Sequence, residues 1–232
     1  MGSEIVTFEL RDEIAHIKMD DGKANALSHE MLEQLGAAFD RAESEGKAVL
    51  LSGRDGKFCA GFDLRVMMSG PKQAIELVMK GGELLLRLYE FGLPLVVACT
   101  GHALAGGALL VATGDTRIGA FGSFKIGLNE VANGMPVPVL AHEFARARLD
   151  TRELFAAVTQ AKIYDPQSAA GAGWLDRAVP ADQLMSAANE EAARLAALPA
   201  TAYRLTKRSL RRPTVDYIRA NMQKNLDEIG AG

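Results

Sequence analysis

The sequence predicts an α/β fold, a core of largely parallel strands followed by a helical C-terminal third. Three observations carry that prediction. Short apolar strand patterns alternate with helical ones through the first part of the chain, and parallel strands need helical crossovers between them. From Val137 onward the patterns are helical in succession. The chain has 232 residues, enough for one sizeable core with a helical appendage.

Taken in order, Glu4–Glu9 and Ala15–Met19 each alternate apolar with polar residues and flank the polar Arg11-Asp12-Glu13, which predicts a hairpin. Ser28 then precedes Met31, Leu32, Leu35 and Phe39 at helical spacing, with Glu30 in the first turn near the positive dipole end. Ala48–Ser52 reads as a short buried strand, and Gly53–Gly56 as a turn. Pro71 suits the first turn of a long helix running to about Phe91. Leu95–Thr100 is an apolar, β-branched strand that leads through Gly101-His102 into the small residues Ala103–Ala108, read as turn and helix. Helical patterns then cover Val137–Leu149, Thr151–Ala161, Pro166–Ala172, Ala181–Ala197, Pro199–Leu210 and Val215–Ile229, with Asp176–Val179 as one strand candidate among them.

Composition excludes several classes of function. Hydrophobic residues are 48% and charged residues 24%, a globular balance. The formal net charge is -3, so there is no general basic field for nucleic acid or anionic lipid, and neither is expected as a partner. The N-terminal residues carry Glu4 and Glu9 and lack a basic start with an apolar run, and no twenty-residue apolar run occurs, so secretion and a membrane span are not expected. Cys59 and Cys99 stand apart from any His/Cys cluster, which argues against a metal site or disulfide framework and fits a reducing cytoplasm.

Three segments carry chemistry. In Gly56-Lys57-Phe58-Cys59-Ala60-Gly61-Phe62-Asp63-Leu64 the small residues allow a sharp turn that leaves an N–H near Phe62 free, and Asp63 can bond the turn back onto itself. In Gly101-His102-Ala103-Leu104-Ala105-Gly106-Gly107 two glycines open a helix, where unpaired N–H groups and partial positive charge collect. Two such donors converging on one carbonyl oxygen form an oxyanion hole, each worth about 3 to 4 kcal/mol in a transition state. Either turn alone is more often close packing or a cap. The third segment, Ile126-Gly127-Leu128-Asn129-Glu130-Val131-Ala132-Asn133-Gly134, places one carboxylate in a loop, where most glutamates are merely solvated. A dinucleotide-binding reading of Gly101–Gly107 fails on the missing G-x-G-x-x-G spacing.

Together and in this order, these segments and Gly22-Lys23-Ala24-Asn25-Ala26-Leu27-Ser28 resemble the crotonase superfamily, the enoyl-CoA hydratase/isomerases, over nearly the whole chain. The resemblance implies a spiral of ββα units over residues 1–180 and a helical region over 181–232 that mediates trimers or dimers of trimers. It implies an acyl-coenzyme A substrate, with coenzyme A part of the substrate and no separate cofactor. It makes Phe62 and Gly106 the two N–H donors and Glu130 the base, with Ala24, Ala60, Asp63 and Leu64 joining Phe62 and Gly106 in substrate binding.

One departure tips the reaction. Hydratases of this family carry a second glutamate three residues beyond the oxyanion glycine, and Leu109 stands there. Leucine can neither hold a water nor transfer a proton, whereas shifting a double bond needs a single base. The expected reaction is therefore 3-enoyl-CoA to 2-enoyl-CoA isomerisation. The alternatives are hydration, another crotonase chemistry such as thioester hydrolysis, and a silent acyl-CoA-binding subunit. Lys207, Arg208, Arg211 and Arg212 are read as a solvated helix face, or as partners for coenzyme A phosphates.

Overall fold

The computed structural model describes residues 4–231; the first three residues of the N-terminal segment and Gly232 of the C-terminal region lie outside the described residues. The chain opens with β1 (Val6–Arg11) and β2 (Ile14–Met19), an antiparallel hairpin in register from Val6 opposite Met19 to Arg11 opposite Ile14. The connection is two residues, Asp12 and Glu13, both at positive φ (48° and 63°). That is the turn whose twist matches paired strands, and it lets the ladder run two residues beyond the Glu9 expected from alternation.

A helix, α1 (His29–Glu45), carries the chain to β3 (Ala48–Ser52), which lies parallel to β2. Ser28 caps α1 as its sequence position suggests, its side chain accepting the Met31 N–H. Then β4 (Gly56–Cys59), α2 (Leu64–Met67) and α3 (Pro71–Tyr89) precede β5 (Leu95–Cys99). After β6 (Gly101–Leu104) and α4 (Gly106–Thr113) come β7 (Thr116–Ala120) and β8 (Ile126–Gly127). The chain ends through α5 (Val139–Arg148), α6 (Thr151–Thr159), α7 (Pro166–Ala172), β9 (Arg177–Val179), α8 (Leu184–Ala196) and α9 (Ala200–Ala231).

Two sheets result. One has six strands in the order β1-β2-β3-β5-β7-β9, parallel from β2 onward, and the other has three parallel strands in the order β4-β6-β8. Each strand of the small sheet directly follows one of the large sheet, so the strand pairs β3–β4, β5–β6 and β7–β8 repeat along the chain. This is the expected spiral.

The middle of the large sheet is buried on both faces, which is why β3 and β5 read as apolar runs. Val49, Leu51, Leu95, Val97 and Cys99 face the main core with α1, α3, α4 and α5, while Leu50, Val96, Ala98 and Ile118 face α8. The small Ala188 and Ala192 let α8 approach that second face closely.

Three differences from the sequence expectations have physical causes. Gly56–Cys59, read within a turn, and Gly101–Leu104, read as a turn passing into a helix at Ala103, are strands. The missing side chain of Gly101 lets it pair beside Gly56, whose backbone a Cβ would overlap. Thr116–Ala120 is also a strand, although Arg117 breaks its apolar pattern. The guanidinium is buried, donating to the Asp176 carboxylate through Nε at 3.1 Å and Nη2 at 2.7 Å, and to the Gly173 carbonyl through Nη1 at 2.6 Å.

Finally, the two C-terminal helices expected on either side of Pro213 are one helix. Proline removes one backbone donor, and it does so on the exposed side. On the other side Lys207, Arg211, Val215, Ile218, Met222 and Leu226 form a continuous buried stripe that holds the helix to the core.

Candidate active site

The site starts from a buried side chain. Asn25 adopts left-handed backbone (φ 53°) and is fully buried. Its amide donates to the carbonyls of Met19 (3.0 Å), Phe58 (3.1 Å) and Lys57 (3.2 Å), while its side-chain oxygen accepts the Asp21 N–H at 2.9 Å. This fastens the loop after β2 onto β4. A short parallel ladder follows: Ala60 N–H donates to Ala24 C=O (3.0 Å), Leu27 N–H to Gly61 C=O (2.8 Å), and Asp63 N–H to Leu27 C=O (3.3 Å).

That ladder decides which amide is free. The Gly61 carbonyl points at Leu27, and in a trans peptide the N–H of the next residue points the opposite way. Phe62 N–H therefore faces away from the ladder, and among the described residues it has no acceptor. Asp63 then caps α2, its carboxylate accepting the Arg65 N–H at 2.9 Å and pairing with the Arg65 guanidinium at 3.0 Å. Those contacts, the side-chain bond first, hold the Asp63 carboxyl below its usual range.

The same argument applies at the second turn. Ala105 N–H donates to Gly127 C=O at 3.0 Å, and Ala105 C=O starts α4 by accepting the Leu109 N–H at 3.1 Å. The Gly106 N–H shares that peptide plane and points back out of the helix start, again without an acceptor among the described residues. Ala105 has φ 50° and ψ -123°, a backbone region that strains any residue with a side chain, of order 1–3 kcal/mol. The two turns touch. Gly61 has φ 93°, and a Cβ there would lie 3.0 Å from both Ala105 Cβ and Leu104 O and 3.3 Å from Gly106 N, so only glycine fits between them.

Beside the turns is a cavity of about 560 Å³, with Ala60, Phe62, Leu64, Ala105, Leu109 and Glu130 in its wall. Its lining is otherwise apolar apart from Asn129 and Asn133, and Glu130 is the one ionisable side chain in it among the described residues. Glu130 is only 9% exposed, and its Oε2 is buried without a partner. Burial raises its pKa above the usual glutamate value, against the smaller pull of the Glu130 and Asn129 N–H groups. The backbone beneath is pinned: Glu130 C=O accepts the N–H groups of Asn133 and Met135, both at 2.9 Å, and Gly134 closes the turn at φ 75°.

Of the residues singled out in the sequence, Ala60, Phe62, Leu64 and Glu130 line this cavity. Gly106 stands behind Ala105, with its Cβ position 3.2 Å from the Phe62 ring. Ala24 and Asp63 hold the first turn through the ladder and the α2 cap rather than forming the wall. His102 is structural, its Nδ1 accepting the Lys125 N–H at 3.0 Å and its ring edge-on to Phe124. Cys59 is buried, which pushes its thiol up to about 12 and removes it as a nucleophile.

Two features were not anticipated. The far wall of the cavity comes from α9, through Met222, Leu226, Ile229 and Gly230. The signal for it was present in the spacing of the buried stripe. In addition, Lys207 and Arg211 are neither a solvated face nor free for phosphates. Both are buried and pair with Asp115, at 2.7 Å and 2.8 Å. Arg208 and Arg212 stay exposed, Arg212 pairing with Asp216 one turn on.

The family described as enoyl-CoA hydratase/isomerase matches residues 9–228. The chain is 33% identical over 208 residues to the mitochondrial enoyl-CoA delta isomerase 1 of Rattus norvegicus, covering 88% of this chain and 72% of that protein. It is 30% identical over 220 residues to a probable enoyl-CoA hydratase of Rhodobacter capsulatus, covering 90% and 82%. The crystal structure of an enoyl-CoA hydratase/isomerase family protein from Pseudomonas syringae superposes with a TM-score of 0.95 at 36% identity, covering 97% of this chain and 98% of that one.

Proposed function

The chain belongs to the enoyl-CoA hydratase/isomerase family, and from that premise we propose that it moves the double bond of a 3-enoyl-CoA to the 2-position with Glu130 as the sole base. The observation that carries this reading is the lone, buried carboxylate, one oxygen of it without a partner, in an apolar cavity with Leu109 in the wall where a second carboxylate would stand.

The steps balance without water or a further reactant. The Glu130 carboxylate takes a proton from C2, and the electron pair moves into a dienolate whose negative charge rests on the thioester oxygen. The Phe62 and Gly106 N–H groups, fixed before substrate arrives, stabilise that charge. The Glu130 carboxyl then returns the proton to C4 on the C3–C4 π pair, the C1–C2 π pair of the dienolate becomes the C2–C3 double bond, and the oxygen's charge returns to re-form the thioester carbonyl. A raised pKa suits the base, because it narrows the gap to the weakly acidic carbon it must deprotonate. Coenzyme A enters as part of the substrate, and the steps ask for no cofactor.

The test is a comparison on the wild-type protein. Isomerisation of 3-enoyl-CoA should be rapid and hydration of 2-enoyl-CoA slow; the reverse ranking would sink the single-base reading in favour of a hydratase. The proposal extends to assembly as a homotrimer or a dimer of trimers, for which the exposed Phe155, Leu205, Leu210 and Tyr217 offer apolar surface. Sedimentation should give a multiple of three. The buried, unpaired Cys59 and Cys99 fit the reducing cytoplasm we propose as its location.

A further inference from the structure

Helix α3 carries two adjacent buried glycines in its middle, Gly81 and Gly82. A glycine inside a helix is less favourable than alanine, and neither residue has the positive φ that would demand one. The reason for Gly81 is tertiary. A Cβ there would overlap Cε1 of the Phe62 ring and lie 2.8 Å from its Cζ. On the other edge of the same ring, a Cβ at Gly106 would come within 3.2 Å of Cε2 and 3.3 Å of Cδ2. The ring is held between α3 and the first residue of α4, each of which presents bare backbone to it.

We infer that Gly81 is a positioning residue for the oxyanion site, its missing side chain forming the socket that fixes the Phe62 ring and, through it, the direction of the Phe62 N–H. With α4 against the opposite edge, a filled socket leaves the ring only the cavity side to move into, which means turning about its own Cα. Displacement must pass to the Phe62 Cα and its peptide, which is the donor. The kinetic part of this inference rests on the isomerase reading; the socket itself does not.

The experiment is a cycle of Gly81→Ala and Phe62→Ala, alone and together. Gly81→Ala should lower kcat for 3-enoyl-CoA by at least about tenfold, part of the 10²–10³ that loss of an oxyanion donor brings, with KM changed less than about threefold. Adding Phe62→Ala, which empties the socket, should recover most of that loss. A role confined to helix stability predicts the opposite, since alanine is the better helix former. Urea denaturation supplies a readout that needs no substrate: Gly81→Ala should lower the midpoint in the wild-type background and raise it in the Phe62→Ala background. The same sign in both backgrounds, or an undiminished kcat in folded Gly81→Ala, overturns the inference. A wild-type protein inactive on 3-enoyl-CoA would overturn the isomerase reading instead, and the urea cycle would still decide the socket.

Discussion

Glu130 concentrates a conflict between stability and chemistry in one residue. Its carboxyl is buried with one oxygen unpartnered, so the charged form that the proposed mechanism uses as base is the form the fold disfavours. Because the folded-state pKa is raised, the native state binds more protons than the unfolded chain between the ordinary glutamate value and the raised one. Stability from this group therefore falls as pH rises through that window. Glu130→Gln, which cannot ionise, should unfold at a higher temperature than wild type at neutral pH, and the gap should close in acid below both values. The same variant should lose about 10²–10⁴ in kcat while its affinity for acyl-CoA, measured by calorimetry, stays within a few-fold. Retained turnover would remove Glu130 from the mechanism. In the wild type, kcat/KM should rise with pH through the raised pKa, since only the carboxylate can accept the C2 proton.

At the scale of elements, helix α9 does two jobs with one face. Its N-terminal half is anchored by charge, Lys207 and Arg211 meeting Asp115, whose Oδ2 also accepts the Leu95 N–H at 2.8 Å. Its C-terminal half supplies Asn225, whose side-chain oxygen accepts the Val139 N–H at 2.8 Å and caps α5, the helix that follows the Glu130 loop. Two buried cations share one anion at the Asp115 cluster, and the half-buried Arg148 adds a third positive charge nearby. Burial outweighs the attraction of Asp115 for Lys207 and pushes its ammonium down to about 8. Asp115→Asn leaves both cations uncompensated and should cost about 3–5 kcal/mol in urea unfolding. Lys207→Met leaves a one-to-one pair of Arg211 with Asp115 and should change stability by less than about 1.5 kcal/mol. Equal losses in the two variants would show that the cluster does not act through charge.

For the whole molecule, the catalytic cavity is closed by joining distant parts of the chain. The proposed donors come from the ends of β4 and β6, the proposed base from the loop after β8, and the far wall from α9. Gly82 and Leu140 pack around Met222, with a Cβ at Gly82 falling 3.0 Å from Met222 Sδ and 3.4 Å from Leu140 Cδ1. Acyl length should accordingly be read by α9. Leu226→Ala, by enlarging the wall, should raise kcat/KM for longer acyl chains relative to shorter ones across a series of 3-enoyl-CoA substrates. It should also cost about 2–5 kcal/mol, so the assay belongs well below the variant's unfolding temperature. An unchanged length profile in the folded variant would place the acyl chain elsewhere.

The features legible in the amino-acid order are local in character. The Ser28 cap, the Pro71 helix start, the apolar runs of β3 and β5 and the glycine turns all follow from backbone propensity or from burial on both faces, which neighbouring residues encode. The family resemblance of three short segments added Phe62, Gly106 and Glu130, and Leu109 pointed to one base rather than two. The sequence did not reveal β4 or β6, because strands of four residues containing glycine are made by their neighbours rather than by propensity. Nor did it reveal the unbroken α9, since Pro213 forbids continuation only where its lost hydrogen bond is not outweighed by a buried stripe. Tertiary structure alone decided that Lys207 and Arg211 turn inward, because pairing with Asp115 requires residues about ninety positions apart to meet in a space closed to water.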